Sequence, residues 1–352
     1  MEKRMGGGSA GRFTSALAED LENRGVRFYM NTKAMAIQKN ADGAVSGVCI
    51  ETEDGKQETL ACRAALLSSG GFVSNPDCLK KYFPNDYSEN VIKFPLKSPG
   101  NTVSLAESAG AKLEDTCTFV VENGFCFVRD MRAPGRIHTI GGSVWINKNG
   151  RRYAAENTFN HNISTKALLR QPDKVGFALY SANTLAHVLR SETDHFCERA
   201  DVFRNYLAEE IPKQKWCCQA DTVEGLAPWI GCDPAVLKKT VDTYNASCAA
   251  GVDSEFGKPS EDLIPLQDGP FLAISFRPLY TDTIGPVVTD EFLHVLSTED
   301  DQPIPGLFAT GATVSGWVGN TYYLFGSNLS FCFTSGMLAG KQVAKELSTG
   351  VL

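Results

Sequence analysis

The feature that most constrains this fold is a set of three glycine-marked turns crowded ahead of one long C-terminal helix. The turns occupy residues 306–311, 316–319 and 326–328, and the apolar spacing after them predicts a helix over residues 328–347. Glycine lets a backbone approach a flat ligand, and a helix N-terminus offers unpaired N–H groups to an electron-rich oxygen. The pattern fits such a ligand site or a loop-rich packing junction, and composition alone does not decide between them.

The first part of the chain has the alternating pattern of an α/β fold. Residues 13–25 have one apolar helical face and end in glycine, which predicts a short amphipathic helix, and residues 26–30 predict a strand. Residues 35–38 and 44–51 alternate between polar and apolar side chains across an Asn-Ala-Asp-Gly turn at residues 40–43. Such a turn is typical of a β-hairpin.

A continuous apolar run at residues 64–67 stops at the sequence Ser-Ser-Gly-Gly-Phe of residues 68–72. An apolar strand that ends in paired glycines is typical of a buried sheet strand whose C-terminal end meets a ligand. An ordinary turn after a core strand has the same pattern, so both interpretations stay open.

The middle of the chain, from about residue 116 to residue 262, indicates an inserted second domain. Aromatic and charged residues alternate there over short elements. Residues 233–244 predict a helix capped by Asp233, with Val236, Val241 and Tyr244 on its apolar face.

Charge and hydropathy exclude several classes of protein. Lys and Arg number 34 against 41 Asp and Glu, and the net charge of −7 is spread along the chain, which argues against a nucleic-acid or anionic-membrane footprint. No run approaches the roughly 18 apolar residues that a membrane span needs, and the N-terminus lacks the apolar core of a signal peptide. We therefore expect no nucleic-acid partner, no membrane span and a cytoplasmic location.

The 11 cysteines and five histidines show neither paired C-x-x-C nor metal-ligand spacing. An odd number of cysteines in a chain of 352 residues indicates reduced, mostly core residues of a reducing compartment. We expect no disulfide framework and no metal site.

Six motifs resemble the FAD-dependent family of fumarate reductase flavoproteins, urocanate reductase and 3-ketosteroid dehydrogenases. They are GGGS at 6–9, ALLSSGGF at 65–72, INKNGRRYAAE at 146–156, FGKP at 256–259, PIPGLFATG at 303–311 and GMLAG at 336–340. They lie in the family's order over essentially the whole chain. Their common order is specific, although each motif alone is weak. A flavin ring also suits the glycine turns, since its pyrimidine edge gains negative charge on reduction.

The resemblance implies an α/β fold with an α+β insertion, in which a partial Rossmann-like FAD-binding domain is interrupted by a capping domain. The expected boundaries are residues 1–116 for the first part of the FAD domain, 117–265 for the cap and 266–352 for the last part. The family's opening strand, G-x-G-x-x-G and helix, which bind the pyrophosphate, have no counterpart here. A truncated gene product, a separate chain that supplies the opening, or a false start codon each account for this, and an export signal would also lie in that opening.

The same motifs imply the residues that hold the FAD cofactor. They are Gly7, Gly8, Ser9, Ser69, Gly70, Gly71, Gly311, Ala312, Ser327, Asn328 and Leu329. The family usually has, in place of Ala312, a Glu that binds the ribityl hydroxyls. Its loss weakens FAD binding by about 1 kcal/mol or somewhat more without excluding it.

The resemblance argues against fumarate itself as the substrate. The position of the family's arginine proton donor is Asn160, beside His161, and the position of its substrate-clamping histidine is Asp282. A second clamp, an arginine in the last glycine loop, has no counterpart in residues 319–326. Without two cationic clamps a dicarboxylate binds poorly. His161 is the alternative proton donor, because histidine titrates near neutral pH.

The last glycine loop aligns instead with the 3-ketosteroid dehydrogenases, whose G-x-T-Y tyrosine and the glycine four residues later match Tyr322 and Gly326. In those enzymes the tyrosine hydroxyl and the glycine N–H polarise the substrate carbonyl. The alternative is that Tyr322 is an ordinary buried aromatic residue. Tyr323, Phe325 and Trp317 suggest an apolar pocket that suits an uncharged or aromatic enone.

The sequence thus predicts a flavin-dependent oxidoreductase that transfers hydride, in either direction, between FAD and a C–C bond conjugated to a carbonyl. The expected catalytic residues are Tyr322, Gly326 and His161. The expected substrate contacts are Asn160, Asp282, Arg277 and Tyr323, with Arg129, Arg132 and Arg136 as further candidate cations. The expected partners are an unsaturated carbonyl or acid and an unknown electron donor or acceptor. The alternative is a degenerate, non-catalytic binding protein of the same fold.

Overall fold

A computed structural model describes residues 9–93, 98–125, 142–156, 161–189, 200–319, 322 and 326–352. Its helices are α1 Ser9–Asn23, α2 Pro76–Tyr82, α3 Asn101–Ser108, α4 His161–Leu169, α5 Ala182–Val188, α6 Ala200–Glu210, α7 Ala227–Ile230, α8 Pro234–Ala250 and α9 Ser327–Thr349. Its strands are β1 Lys33–Lys39, β2 Val45–Glu51, β3 Gln57–Ala61, β4 Ala65–Leu67, β5 Ile92–Lys93, β6 Thr118–Phe125, β7 Val144–Asn147, β8 Gly176–Tyr180, β9 Cys217–Ala220, β10 Phe271–Ile284, β11 His294–Leu296 and β12 Pro303–Ala309.

The strands form three sheets. Strands β1, β2 and β3 make an antiparallel sheet in that order, and the order β11-β12-β4 makes a second sheet, in which β4 runs parallel to β12. The third sheet has six strands, and β10 pairs directly with all the others except β7. Because β4 and β12 run parallel, the loops after both strands, which carry the predicted glycine turns, emerge at the same edge.

Strand β10 links the predicted cap to the glycine loops. Its first half pairs with β8 on one side and β9 on the other, and its second half pairs with β6 and β5. Its last residues, Thr283 and Ile284, are almost completely buried. One continuous strand therefore fixes the position of the inserted segment relative to the site described below.

The predicted cap contains a fully buried ionic network. Arg152 donates two hydrogen bonds to Glu156, of 2.7 and 2.9 Å, and two to Asp253, of 2.9 and 2.7 Å. The Lys258 ammonium lies 3.3 Å from Glu156, and none of the four side chains is more than 3% exposed. Two cations and two carboxylates therefore balance one another inside the core. Three of these residues belong to the motifs at 146–156 and 256–259.

Several local predictions are confirmed. The hairpin forms as predicted, and the Asn40 side chain accepts hydrogen bonds from the backbone N–H groups of Asp42 and Ala44. Helix α8 starts at the predicted cap, where Asp233 Oδ1 accepts from the N–H of Ala235 at 2.8 Å. The pattern predicted Val236 on the apolar face of this helix, but the structure buries the neighbouring Leu237 instead. The terminal helix α9 also has the predicted position.

The strand predicted at residues 26–30 is wrong. This segment is irregular, and its apolar side chains are 43 to 55% exposed: Val26, Phe28, Tyr29 and Met30. A strand needs a neighbour for its N–H and C=O groups, and no described strand lies beside this segment. Helix α1 does form, although Phe13 and Leu17 on its apolar face are 51% and 42% exposed.

The sequence also predicts no membrane-spanning helix, no metal site and reduced cysteines. No helix among the described residues is long and apolar enough to cross a membrane. The described part of the chain contains no group of three or more side chains placed to ligate a metal ion, and its nine cysteines are all free thiols.

Candidate active site

The paired glycines after β4 lie directly against the end of β10. A Cβ atom on Gly71 would stand 2.1 Å from the carbonyl oxygen of Thr283, so a larger residue does not fit there. The N–H of Phe72 donates to Thr283 Oγ1 at 2.6 Å. Gly71 is therefore required for packing of the loop on β10, and this contact fixes the loop.

Gly70, in contrast, faces open space. Its φ is +79°, and an added Cβ would meet no atom within 4 Å. Its carbonyl oxygen accepts from Thr102 Oγ1 at 3.1 Å and from Thr313 Oγ1 at 3.4 Å, while the Ser69 hydroxyl contacts that of Thr102. Hydrogen bonds with Thr102, Thr313 and Thr283 therefore hold the loop. The space around the Cα of Gly70 stays open to a flat ligand.

The start of α9 brings three predicted site residues together. Gly326, with φ +76°, is the N-cap and has no side chain of its own to cap the helix. The N–H of Asn328 donates to the Tyr322 hydroxyl at 3.3 Å, and Asn328 Nδ2 donates to Asp282 Oδ2 at 2.7 Å. Tyr322 and Asp282, which are 40 positions apart, thus bind the same asparagine at the positive end of the helix dipole.

Asp282 is a largely buried carboxylate. Burial raises its pKa to about 6, although hydrogen bonds from the N–H of Thr283 and from Asn328 partly oppose the increase. Among the described residues it has no ion-pair partner. The carboxyl group therefore changes its protonation state close to neutral pH.

The predicted residues of the turn after β12 have two different roles. The N–H of Gly311 donates to Ser335 Oγ of α9 at 3.0 Å, so this turn is tied to the helix. Ala312 is buried in an apolar cluster with Val120 and Ile284, against which Tyr322 packs. Leu329 lies in the first turn of α9 and is 61% exposed.

The site also contains a buried hydrogen-bond donor, the indole N–H of Trp317. Trp317 stacks on Phe331, with ring centroids 3.8 Å apart, and its Nε1 is buried without a hydrogen-bond partner in the described structure. The open backbone at Gly70, the N-terminus of α9 and this unpaired donor fit a flat, electron-rich cofactor such as a flavin. Of the predicted cofactor residues, Ser69 and Gly70 lie in the open loop and Asn328 lies in the first turn of α9.

Other predicted residues lie elsewhere or cannot be placed. His161 and Ser9 are the first residues of α4 and α1. Arg277 lines a different cavity, with residues of the 88–90 loop and the 171–175 turn. The predicted residues outside the described part of the chain are Gly7, Gly8, Asn160, Tyr323, Phe325, Arg129, Arg132 and Arg136.

The threonines that hold the glycine loop could not be recognised from the sequence. Thr283 Oγ1 binds the N–H of Phe72 from 211 positions away, and Thr102 lies 32 positions from Gly70. No local pattern marks either residue, because a hydroxyl that satisfies a distant loop looks in sequence like any other threonine.

Known proteins share this architecture. The chain is 28% identical to urocanate reductase of Eggerthella lenta over 93% of its own length and 52% of that protein, and 30% identical to 4-oxocyclohexanecarboxylate 2-dehydrogenase of Sinomonas cyclohexanicum over 86% and 54%. It therefore spans about half the length of each of these relatives. The crystal structure of 3-ketosteroid delta1-dehydrogenase from Sterolibacterium denitrificans superposes with a TM-score of 0.76 over 94% of this chain and 62% of that one, at 21% identity. This likeness shows the same fold of mixed helices and sheets.

A family model confirms the cofactor class. The model of the FAD binding domain matches residues 4–329, which is nearly the whole chain and includes the glycine loops after β4 and β12 and the start of α9. The motifs, the open glycine backbone and this match agree, and FAD is the cofactor that they indicate. The chain therefore belongs to the FAD binding domain family.

Proposed function

We propose that this chain belongs to a flavin-dependent oxidoreductase that transfers hydride between FAD and a C–C bond conjugated to a carbonyl. The observation that carries the proposal is the placement of the Tyr322 hydroxyl at the start of α9, hydrogen-bonded to Asn328 and close in sequence to Gly326. A phenol and backbone N–H groups at one helix end make an oxyanion-binding arrangement.

Tyr322 is prepared to donate a hydrogen bond. Its oxygen accepts the N–H of Asn328, so its own proton remains available for a substrate oxygen. Accepting one hydrogen bond also strengthens the donation of the next, because the two polarise each other. Tyr322 would bind and polarise the carbonyl oxygen, and the bound FAD would supply or accept the hydride.

Asp282 positions this donor. Its carboxylate fixes the Asn328 side chain at 2.7 Å, and the backbone of Asn328 holds the Tyr322 hydroxyl. His161, at the start of α4, remains the proposed alternative proton donor.

The surroundings favour an uncharged conjugated carbonyl over a small diacid. Tyr322 packs against an apolar cluster of Val120, Ile284 and Ala312, so the surroundings of its ring are apolar and not cationic. Asp282 carries a negative charge or none where a cationic clamp would be needed, so it does not attract a second carboxylate. The two relatives act, by their names, on urocanate and on 4-oxocyclohexanecarboxylate, an unsaturated acid and an oxo compound.

We also propose that residues 1–116 and 266–352 form an interrupted Rossmann-like FAD domain and residues 117–265 its cap. A surface of exposed apolar side chains on α1, β4 and α9 supports this arrangement: Phe13, Leu17, Leu66, Leu329, Phe333, Met337 and Leu338. Further sheet-forming polypeptide, in this chain or a separate one, would cover it, because parallel sheets are buried on both faces.

Free thiols in the described residues agree with a cytoplasmic protein.

The proposal is tested with the Tyr322→Phe variant. The protein is purified, loaded with FAD and checked for the visible flavin band, and reoxidation of the reduced flavin is then followed with 2-cyclohexen-1-one, cinnamate and fumarate. We expect oxidation by the enone, little by fumarate, and a rate about 10²- to 10³-fold lower in Tyr322→Phe at unchanged flavin content.

The matched control is Tyr29→Phe, since the Tyr29 side chain is 48% exposed. It should leave the rate unchanged. A flavin-loaded protein that no unsaturated carbonyl oxidises would refute the proposal. Binding of such a ligand by protein that never takes up flavin would support instead the non-catalytic binding protein.

A further inference from the structure

A second cavity lies away from the glycine loops. It has a volume of about 610 Å³ and is open to solvent, and its walls come from residues 88–90, residues 171–175 and neighbouring strands. None of Gly70, Asp282, Tyr322 or Gly326 lines it. It is therefore distinct from the candidate active site.

Arg277 is the central cation of this cavity. Its Nε is buried and has no hydrogen-bond partner, and the part of the chain that the structure describes provides no carboxylate for its guanidinium. The guanidinium carbon lies 5.5 Å from the centroid of the Trp216 ring. Stacking on a ring holds the planar fork in one orientation, with its N–H groups ready for an oxyanion.

Lys174 adds a second positive charge. Its ammonium donates to the backbone carbonyls of Tyr87 at 2.8 Å and Asn85 at 3.4 Å, and no described carboxylate neutralises it. Lys148, also at the cavity, is already paired with Asp173. Glu89 lies 3.7 Å from Lys80, which is not part of the wall. The cavity wall has three cations, Lys148, Lys174 and Arg277, and two carboxylates, Glu89 and Asp173. Its net charge is therefore one positive charge.

The cavity bridges two segments that are distant in sequence. Asn90 Nδ2 donates to the carbonyl oxygen of Asp173 at 2.6 Å, and Lys174 reaches the carbonyl of Tyr87. Asp173 and Lys174 both have left-handed backbone conformations, with φ of 54° and 53°. Such a turn is held in place by its contacts, so a ligand between these segments would add to them.

We propose that this cavity binds a small organic anion, whose carboxylate or phosphate oxygens pair with Arg277 and Lys174 and whose apolar part lies against Phe177 and Val175. The bound anion ties the 85–90 loop to the 171–175 turn. This site is additional to the proposed oxidoreductase function and does not depend on it.

The test is direct binding to the full chain, without added flavin. Inorganic phosphate and benzoate are titrated separately by calorimetry and by tryptophan fluorescence, which reports on Trp216 next to Arg277. We expect millimolar or tighter binding of at least one probe, weakened at least 10-fold in Arg277→Gln and in Lys174→Gln. The matched control, Lys238→Gln, removes one exposed positive charge on α8 and should bind as the wild type does.

The two probes distinguish the sources of the anion. Binding of phosphate alone assigns a phosphate ligand, and binding of benzoate alone assigns a carboxylate with an apolar body. Failure of both probes to bind at 10 mM, or unchanged affinity in Arg277→Gln and Lys174→Gln, overturns the proposal. Circular dichroism of each variant verifies that it is folded, and Lys174→Gln tests the site independently if Arg277→Gln does not fold.

Discussion

The predicted cap and the candidate active site both contain buried carboxylates, but the pKa values of Asp253 and Asp282 are shifted in opposite directions. In the cap, Glu156 and Asp253 are both paired with Arg152, and burial, which alone would raise the pKa of Asp253, is outweighed by hydrogen bonds from Arg152 and the Lys258 backbone that lower it to about 2. At the candidate active site, Asp282 has no cationic partner among the described residues, and burial raises its pKa to about 6. One region uses its carboxylates for structure, while the other retains a group that exchanges protons near neutral pH.

The same contrast holds for apolar surface. Tyr244 and Leu237, in the core of the cap, are completely buried, whereas Phe333 and Met337 on α9 are 48% and 56% exposed. The predicted cap thus closes its own core, whereas the described residues of the predicted flavin side include exposed apolar faces and an acid without a described cationic partner. Ligand and partner sites are expected on the second kind of surface.

The largest effect is expected from Glu156→Gln. Removing this charge leaves Arg152 and Lys258 with only Asp253 as a buried counter-ion, so the free energy of unfolding should fall by about 3–5 kcal/mol. Urea unfolding measures this change. Asp242→Asn, which breaks an exposed pair with Lys238, is the control and should cost about 0.5 kcal/mol or less. Equal effects of the two variants would show that the cap network is not structural.

Asp282→Asn should change the pH dependence of stability. Because the folded pKa of about 6 exceeds the ordinary value of 3.8, the wild type is most stable below pH 4 with respect to this group and loses of the order of 2 kcal/mol as the pH rises through 6. The asparagine variant should not show this loss. Thermal unfolding from pH 2 to pH 8 measures the difference.

Asp253→Asn is the matched comparison for that experiment. Its lowered pKa contributes stability above the unfolded value of 3.8, and this stability is lost as the pH falls toward 2. The variant should therefore be weakest, relative to wild type, near neutral pH. If Asp253 and Asp282 variants had the same pH profile, the contrast between the two regions would be wrong.

His294→Gln should have a smaller effect, of about 1 kcal/mol near pH 6. His294 joins Asp290 at 2.8 Å to Glu346 of α9 at 2.6 Å; burial lowers its pKa, but both carboxylates outweigh this and the net shift is upward. The stabilisation is present below pH 6.5 and is lost as the pH rises through the folded pKa. A difference between variant and wild type that grows with pH would contradict it.

Met337→Lys should have the smallest effect on the isolated chain, within about 0.5 kcal/mol, because the side chain is already 56% exposed. Ala339→Lys, two positions along the same helix, places a charge at a fully buried site and should destabilise strongly. Chemical denaturation of both variants tests the assignment of the open face. A large loss for Met337→Lys would show that this face is covered within the chain.

Local elements were the predictable part of this fold. The Asn-Ala-Asp-Gly turn, the Asp233 cap and the spacing of α9 depend on neighbours within a few residues, and the structure confirms all three. The strand expected at residues 26–30 failed because a strand depends on a partner elsewhere. Leu66 failed similarly as a buried position: it is 41% exposed, so the described residues do not cover the sheet face on which its side chain lies.

The sequence by itself determined the cofactor class, through glycines placed where a flat ligand needs close approach and through motif order, which the FAD binding domain match supports. Only the tertiary structure decided which groups act together. It joined Asp282 to Asn328 across 46 positions, Arg152 to Asp253 across 101, and placed Arg277 at a separate cavity. Side-chain chemistry is written in the sequence, but protonation and pairing depend on burial and on neighbours that only folding brings within hydrogen-bond distance.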